Sequence, residues 1–290
     1  MTPATNHAAR HMAELQARGF TVVSDAMSPM AINEIHADLA GDFERTPFGT
    51  GSFYGETTKR FGRLLRRSDK VQALVMHPQI LAMVRQVLEP WCDRIGLNTT
   101  QAISVHPGAP AQLPHRDQDM WQADFGVREY LVNVMWPLTP FSHETGGTRM
   151  WPESHGGRAV NPFWDAPYEV PDLPPGSALV FLGSTLHAAG ANRSGQERRG
   201  IVVGYALGWL KPYENPWLAY PPEVARHFPP ELAALAGYIQ HRPNLGNFEG
   251  QCPSILLGDY DGGPLGAVDA LRPDQQAQAS AFTGAPGDLQ

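Results

Sequence analysis

Cysteine is nearly absent from this 290-residue chain: Cys92 and Cys252 are the only two, far apart and outside any C-x-x-C spacing. That excludes a disulfide framework and a cysteine-based structural zinc site, and both thiols are expected to be buried. Excess positive charge is also missing. At a formal net charge of -7 the chain lacks the surplus of Lys and Arg with which general nucleic-acid binders displace counterions from phosphates. The N-terminus has no basic region followed by an apolar stretch, and no later run is long and apolar enough to span a bilayer. A cytoplasmic enzyme with neither nucleic acid nor membrane as partner is therefore expected. No internal repeat is visible.

What is present is the composition of a globular protein: 42% of residues are hydrophobic and 18% charged, enough to bury a sizeable core. The length suits one elaborated domain, taken as residues 1–272, followed by an Ala-, Gly-, Gln- and Pro-rich tail over 273–290 that has little to bury and is expected to be poorly ordered. The one basic concentration, Lys59 to Arg67, reads as a solvated helix face, with contact to an anionic substrate near a cleft as the alternative.

The first third reads as mainly helical. Ala8 to Arg18 is a helix, Phe20 to Val23 a strand, and Ser28-Pro29 opens a second helix with a serine cap and a proline in the first turn. Asp69 to Val87 holds two short helical patterns divided at His77-Pro78. From Gly96 onward β-rich runs alternate with Pro and Gly turns: Asn98–Val105, Tyr130–Trp136, Thr148–Trp151, Ala178–Leu182 and Ile201–Leu210. Strands spaced in this way suggest a double-sheet barrel, and the long connections Asp119–Glu129 and Asn161–Pro175 are expected near its mouth.

Against this background His115-Arg116-Asp117 stands out. Residues i and i+2 of an extended segment point to one side, so a single strand edge can offer an imidazole and a carboxylate to one ion. Pro107, Pro110 and Pro114 argue against a helix there. The same H-x-D spacing in His36-Ala37-Asp38 falls on a helical pattern, where i and i+2 diverge by about 200° around the axis and cannot chelate together. A second cluster follows: the apolar run Leu179–Leu182 leads to His187, and Arg198-Arg199 then opens the next strand. Two imidazoles and one carboxylate would leave open positions on a divalent iron. A guanidinium deeper in the barrel could pair with a dicarboxylate. Since neighbours on a strand face opposite ways, only one of Arg198 and Arg199 can point inward.

His115, Asp117, His187 and Arg198, in this order and spacing, together with Thr145-Gly146-Gly147-Thr148-Arg149-Met150-Trp151-Pro152-Glu153-Ser154-His155, resemble the phytanoyl-CoA dioxygenase family of iron(II)/2-oxoglutarate oxygenases. The likeness runs from about Gly19 to Leu210, with Glu153 standing where the family usually has glycine. It implies a double-stranded β-helix, a jelly-roll barrel flanked by N-terminal helices. It also implies Fe(II), 2-oxoglutarate and O2 as cofactor and cosubstrates, with His115, Asp117 and His187 on the metal and Arg198, Gln112 and Thr148 on 2-oxoglutarate. A homodimer is implied more loosely, through Phe53–Arg67 and Arg242–Gly250.

The expected reaction is oxidation of an unactivated C–H bond of a small molecule, hydroxylation first, with release of succinate and CO2. Asp117 disfavours halogenation, because halogenating relatives keep a small residue at that position. Met120 and Trp121 are pocket candidates by position, with core packing as the other reading of the indole. Tyr54 and Arg63 are pocket candidates by analogy. His155 is expected to be a hydrogen-bonding group in its turn, and His106 and His143 to be loop residues. The competing classes are a metal-dependent hydrolase or isomerase of barrel fold, which has no need of Arg198, and a non-catalytic barrel that only binds.

Overall fold

A computed structural model describes residues 3–124, 126–160 and 165–283. Phe125, residues 161–164 of the expected mouth loops, and residues 284–290 of the expected tail lie outside the described residues. Helix α1 (Pro3–Arg18) leads into strand β1 (Phe20–Val23), and α2 (Pro29–Arg45) follows. Ser28 caps α2, its Oγ accepting the amide of Ala31 at 3.2 Å, with Pro29 in the first turn where its missing N–H costs nothing.

Strand β2 is Thr58–Phe61, then come α3 (Gln72–Val75) and α4 (Pro78–Leu88), followed by β3 (Ile95–Val105), β4 (Leu131–Pro137), β5 (Thr148–Met150), β6 (Ala178–Leu182), β7 (His187–Ala189) and β8 (Arg198–Leu207). Short helices α5 (Pro216–Ala219), α6 (Pro222–Ala225) and α7 (Pro230–Leu235) and the C-terminal α8 (Pro273–Thr283) complete the chain.

Three expectations need correction. The basic run from Lys59 is not a helix face: its first part is β2, paired antiparallel with β3, and only Leu64–Arg66 makes a 3-10 turn. Residues 273–283 are helical, although their side chains are mostly exposed; Gln and Ala are good helix formers, and propensity needs no buried face. Cys92 and Cys252 are half-buried, not fully enclosed.

The strands form two sheets, one of six strands in the order β1-β6-β4-β8-β3-β2 and one of two, β5-β7. Single bridges widen the small sheet, joining His115 to His187 on one side and Met150 to Glu169 on the other. Period-two alternation divides the large sheet into faces. Val132, Val134, Trp136, Ile201, Val203 and Tyr205 join the helical residues Leu15, Ile32, Leu39, Val84 and Leu88 in one core. α1 lies against β1 and β6, and α4 against β4 and β8. Ile103, Met135, Leu179 and Phe181 point the other way, where Met150 and the loop residues Phe141 and Leu173 meet them. The protein is thus mainly sheet with helices on one face, and the opposite face bounds a cavity.

Candidate metal centre

The proline-rich approach to residue 115 leaves an extended segment that pairs for one residue with β7. His115 N–H donates to the carbonyl of His187 at 2.9 Å and His187 N–H returns the bond at 3.0 Å. This reciprocal pair sets the two imidazoles side by side, ring centroids 4.4 Å apart. Arg116 is extended, and Asp117 then begins a 3-10 turn, Asp117–Met120. One extended residue suffices to turn the Asp117 carboxylate to the side of His115.

Each imidazole is oriented by a backbone carbonyl: Leu113 O lies 2.9 Å from Nδ1 of His115 and Thr185 O 3.1 Å from Nδ1 of His187. A carbonyl only accepts, so both Nδ1 atoms carry the proton and both Nε2 atoms are free to bind a metal. Asp117 Oδ1 is 3.4 Å from Nε2 of His115, and its Oδ2 is 3.4 Å from Nε2 of His187. All the candidate ligand atoms lie within 4.8 Å of one another, in the one such metal-ligating cluster among the described residues. Burial works to raise the Asp117 pKa, but the two histidines outweigh it and hold the carboxyl well below the usual carboxylate range. For His187 burial opposes the charged form, and Asp117 reverses the sign and raises its pKa. The Asp117 carboxylate and the His187 imidazole each favour charge on the other, which is the electrostatic signature of a site built for a cation.

Arg198 and Arg199 part company as the strand geometry requires. Arg198 is 3% exposed and lines the cavity. Its guanidinium sits 4.4 Å over the Phe141 ring and donates Nη1–H to the carbonyl of Gly146, while its Nε has no partner. Burial lowers its pKa to about 9, with Arg60 adding repulsion. Arg199 leaves on the helical side, over the Phe43 ring at 4.6 Å, and pairs with Glu197 at 2.7 Å.

The cavity gathers most of the residues expected from the sequence and rejects two. Gln112 and Thr148 line it; the Gln112 side chain accepts from the Ala189 amide at 3.3 Å and donates to the carbonyl of Phe53 at 3.3 Å. Met120 and Tyr54 line its outer part, where the Tyr54 hydroxyl lies 2.7 Å from that of Tyr213. Burial and that bond push the Tyr213 phenol up to about 12. Trp121 is outside: its indole donates to the carbonyl of Lys211 at 2.8 Å and packs on the helix-side core. Arg63 is also outside, exposed and left-handed at φ 59°, tied by its backbone amide to Glu214 at 2.7 Å.

His36 and Asp38 do not converge, since Asp38 holds Ser68 at 2.6 Å and Lys70 at 3.0 Å while His36 meets Arg199 at 3.2 Å. His155 is a turn group hydrogen-bonded to the carbonyl of Gln16 at 3.0 Å. Beside it Glu153 adopts φ 60°, a left-handed conformation that glycine takes at no steric cost.

Sequence reasoning missed Arg60, Gln101, Tyr213 and Asn133, all of which line the cavity. Arg60 is half-buried on β2, and that burial lowers its pKa; it donates to Gln101 at 3.3 Å and lies 5.4 Å over the Tyr54 ring. Its one signal was its place in the basic run, whose alternative reading was contact with an anionic substrate near a cleft.

A sequence model of the phytanoyl-CoA dioxygenase (PhyH) family matches residues 15–200, a span that contains the three clustered side chains and Arg198. The chain belongs to that family. It is an iron(II)/2-oxoglutarate-dependent dioxygenase. The PhyH chain is 28% identical over 211 residues to the dioxygenase trt7 of Aspergillus terreus, covering 69% of this chain and 74% of that one. It is 25% identical over 267 residues to the multifunctional dioxygenase prhA of Penicillium brasilianum, covering 82% and 86%. Among solved structures it resembles the non-heme alpha ketoglutarate dependent epimerase SnoN from nogalamycin biosynthesis, with a TM-score of 0.58, 18% identity, and 70% and 84% of the two chains covered. At that identity the likeness speaks to the fold alone. No helix among the described residues is long and apolar enough to cross a membrane.

Proposed function

We propose that this dioxygenase oxidises an unactivated C–H bond of a small molecule, with hydroxylation as the outcome and succinate and CO2 as coproducts. In this reading His115, Asp117 and His187 hold iron(II), and Arg198 anchors the remote carboxylate of 2-oxoglutarate. The observation that carries it is Arg198 itself. A guanidinium buried beside a candidate metal cluster, with an unpartnered Nε and no carboxylate in ion-pair contact among the described residues, is costly unless an anion completes it. The donor set fits the metal equally well: two neutral Nε2 atoms and one ionised carboxylate oxygen, gathered on one side.

Bound iron and 2-oxoglutarate would allow O2 to act as the oxidant, one oxygen atom ending in succinate as CO2 is released and the other in the hydroxylated product. The chain's own side chains bind, orient and enclose. Gln112 and Thr148 line the same cavity as Arg198, and Arg60 adds a second, half-buried cation, so a dianion is matched by two guanidiniums in one pocket. Phe53 packs its edge on His115 at 4.9 Å and, with Tyr54 and Met120, forms the outer wall that would hold the substrate and exclude water. The two facing sheets are read as a double-stranded β-helix barrel flanked by the N-terminal helices. Two copies are read as the working unit. A hydrolase or isomerase would have no use for the buried Arg198.

The test is slow succinate formation in the absence of primary substrate. His115→Ala and Asp117→Ala are each expected to abolish it. Turnover retained in both variants would refute the ligand assignment.

A further inference from the structure

Strand β4 is buried along its whole length, and every side chain in it except Asn133 is apolar. Asn133 is 2% exposed and faces the cavity. A carboxamide so placed is costly to bury unless it is hydrogen-bonded. Its Nδ2 donates to Oδ2 of Asp117 at 2.7 Å. Because an ionised carboxylate only accepts, this contact fixes which end of the amide faces the metal cluster.

The opposite neighbour makes room for it. Asn133 is in register with Gly204 on β8, where a Cβ would lie 2.9 Å from Oδ1 of Asn133. Only glycine at 204 leaves the carboxamide its present position without a shift. The other Asp117 oxygen, Oδ1, faces His115 Nε2 at 3.4 Å.

We propose that Asn133 is a positioning residue that engages Oδ2 of Asp117, leaving Oδ1 to bind the metal, and that Gly204 is what permits the contact. The inference rests on the reading of His115, Asp117 and His187 as the metal site. In this arrangement Asp117 is a one-oxygen ligand. The remaining coordination positions are then kept for the cosubstrates, where a freely rotating carboxylate could occupy two of them.

The experiment uses the full-length apoprotein and measures Mn(II) affinity calorimetrically, together with the visible spectrum of the Co(II)-loaded form. The wild type is compared with Asn133→Leu, Asn133→Ala, Gly204→Ala and the double variant Asn133→Ala/Gly204→Ala. Loss of the orienting bond is expected to weaken Mn(II) binding by about 10- to 100-fold in Asn133→Leu and Asn133→Ala. The Co(II) bands should shift while thermal unfolding stays cooperative. Gly204→Ala should weaken binding in the wild-type background and add nothing to Asn133→Ala, where the obstructed amide is already gone. This comparison decides the matter even if the bulkier Asn133→Leu does not fold.

Wild-type affinity and an unchanged Co(II) spectrum in the Asn133 variants overturn the proposal. So does an equal penalty from Gly204→Ala in both backgrounds, which would mean simple crowding. If the wild type itself binds no Mn(II), the metal-site reading fails and the positioning role falls with it.

Discussion

Arg198 and Arg199 are adjacent, chemically identical and opposite in circumstance. One is buried over Phe141 with an unpartnered Nε, and the other is paired with Glu197 beside α2. Removing a charged partner from a buried hydrogen-bonded pair costs roughly 1.5–3 kcal/mol, so Arg198→Ala is expected to raise the KM for 2-oxoglutarate about 10- to 100-fold. Arg199→Ala should leave that KM within about twofold, since exposed or half-exposed pairs contribute little. Steady-state kinetics at varied 2-oxoglutarate check both, and the reverse pattern would move the anchor by one residue.

At this scale the sequence was informative where a motif met an extended backbone. The clustering of His115, Asp117 and His187 was legible in that way, whereas Gln112 and Thr148, which line the cavity, were named only through the family resemblance. Trp121 was open to a pocket and a core reading, and it takes the core one, because its side chain is turned away by the 3-10 turn that Asp117 begins, a local rotation that residue spacing does not encode. Asn133 left the only hint available to a buried polar group: an amide where the pattern asked for valine.

Among the elements, the turn between β6 and β7 has the hardest task, since it delivers His187. Its Ser184 is held by Glu129, whose carboxylate accepts Ser184 Oγ–H at 2.5 Å and the Ser184 amide at 3.2 Å. Burial raises the pKa of Glu129, and the donors from Ser184 and Gly156 work against that rise. Glu129→Ala would leave the Ser184 amide unmet. It is expected to destabilise the protein by about 1–3 kcal/mol, read by urea unfolding as a lower midpoint at unchanged slope. A midpoint equal to wild type would show that the turn holds itself.

The apolar strands were legible because their patterns were long or continuous. β2 was not: of its four residues only Thr58 and Phe61 are buried, and alternation over four positions is too short to outweigh a basic run. The strand is defined by its pairing with β3, a contact that lies beyond any local window.

Across the whole molecule, His187 reaches His115 through a backbone bridge between segments about seventy positions apart, and strand order is set by registers between segments more than a hundred residues apart, such as Phe20 with Phe181. The class of fold could be read from strand spacing, but the order β1-β6-β4-β8-β3-β2 could not. The C-terminal stretch exposes Leu245, Val268 and Phe282, and the proposed pairing of two copies is tested by the mass in solution. Light scattering is expected to give the mass of two copies, and a monomer at all concentrations would set the pairing aside.

One cavity is expected to bind iron(II) and 2-oxoglutarate together. The most direct test is anaerobic addition of both to the apoprotein, followed by visible absorption. A charge-transfer band is expected that saturates at one equivalent of each and is lost in Asp117→Ala. Iron binding with no band on adding 2-oxoglutarate would contradict joint binding.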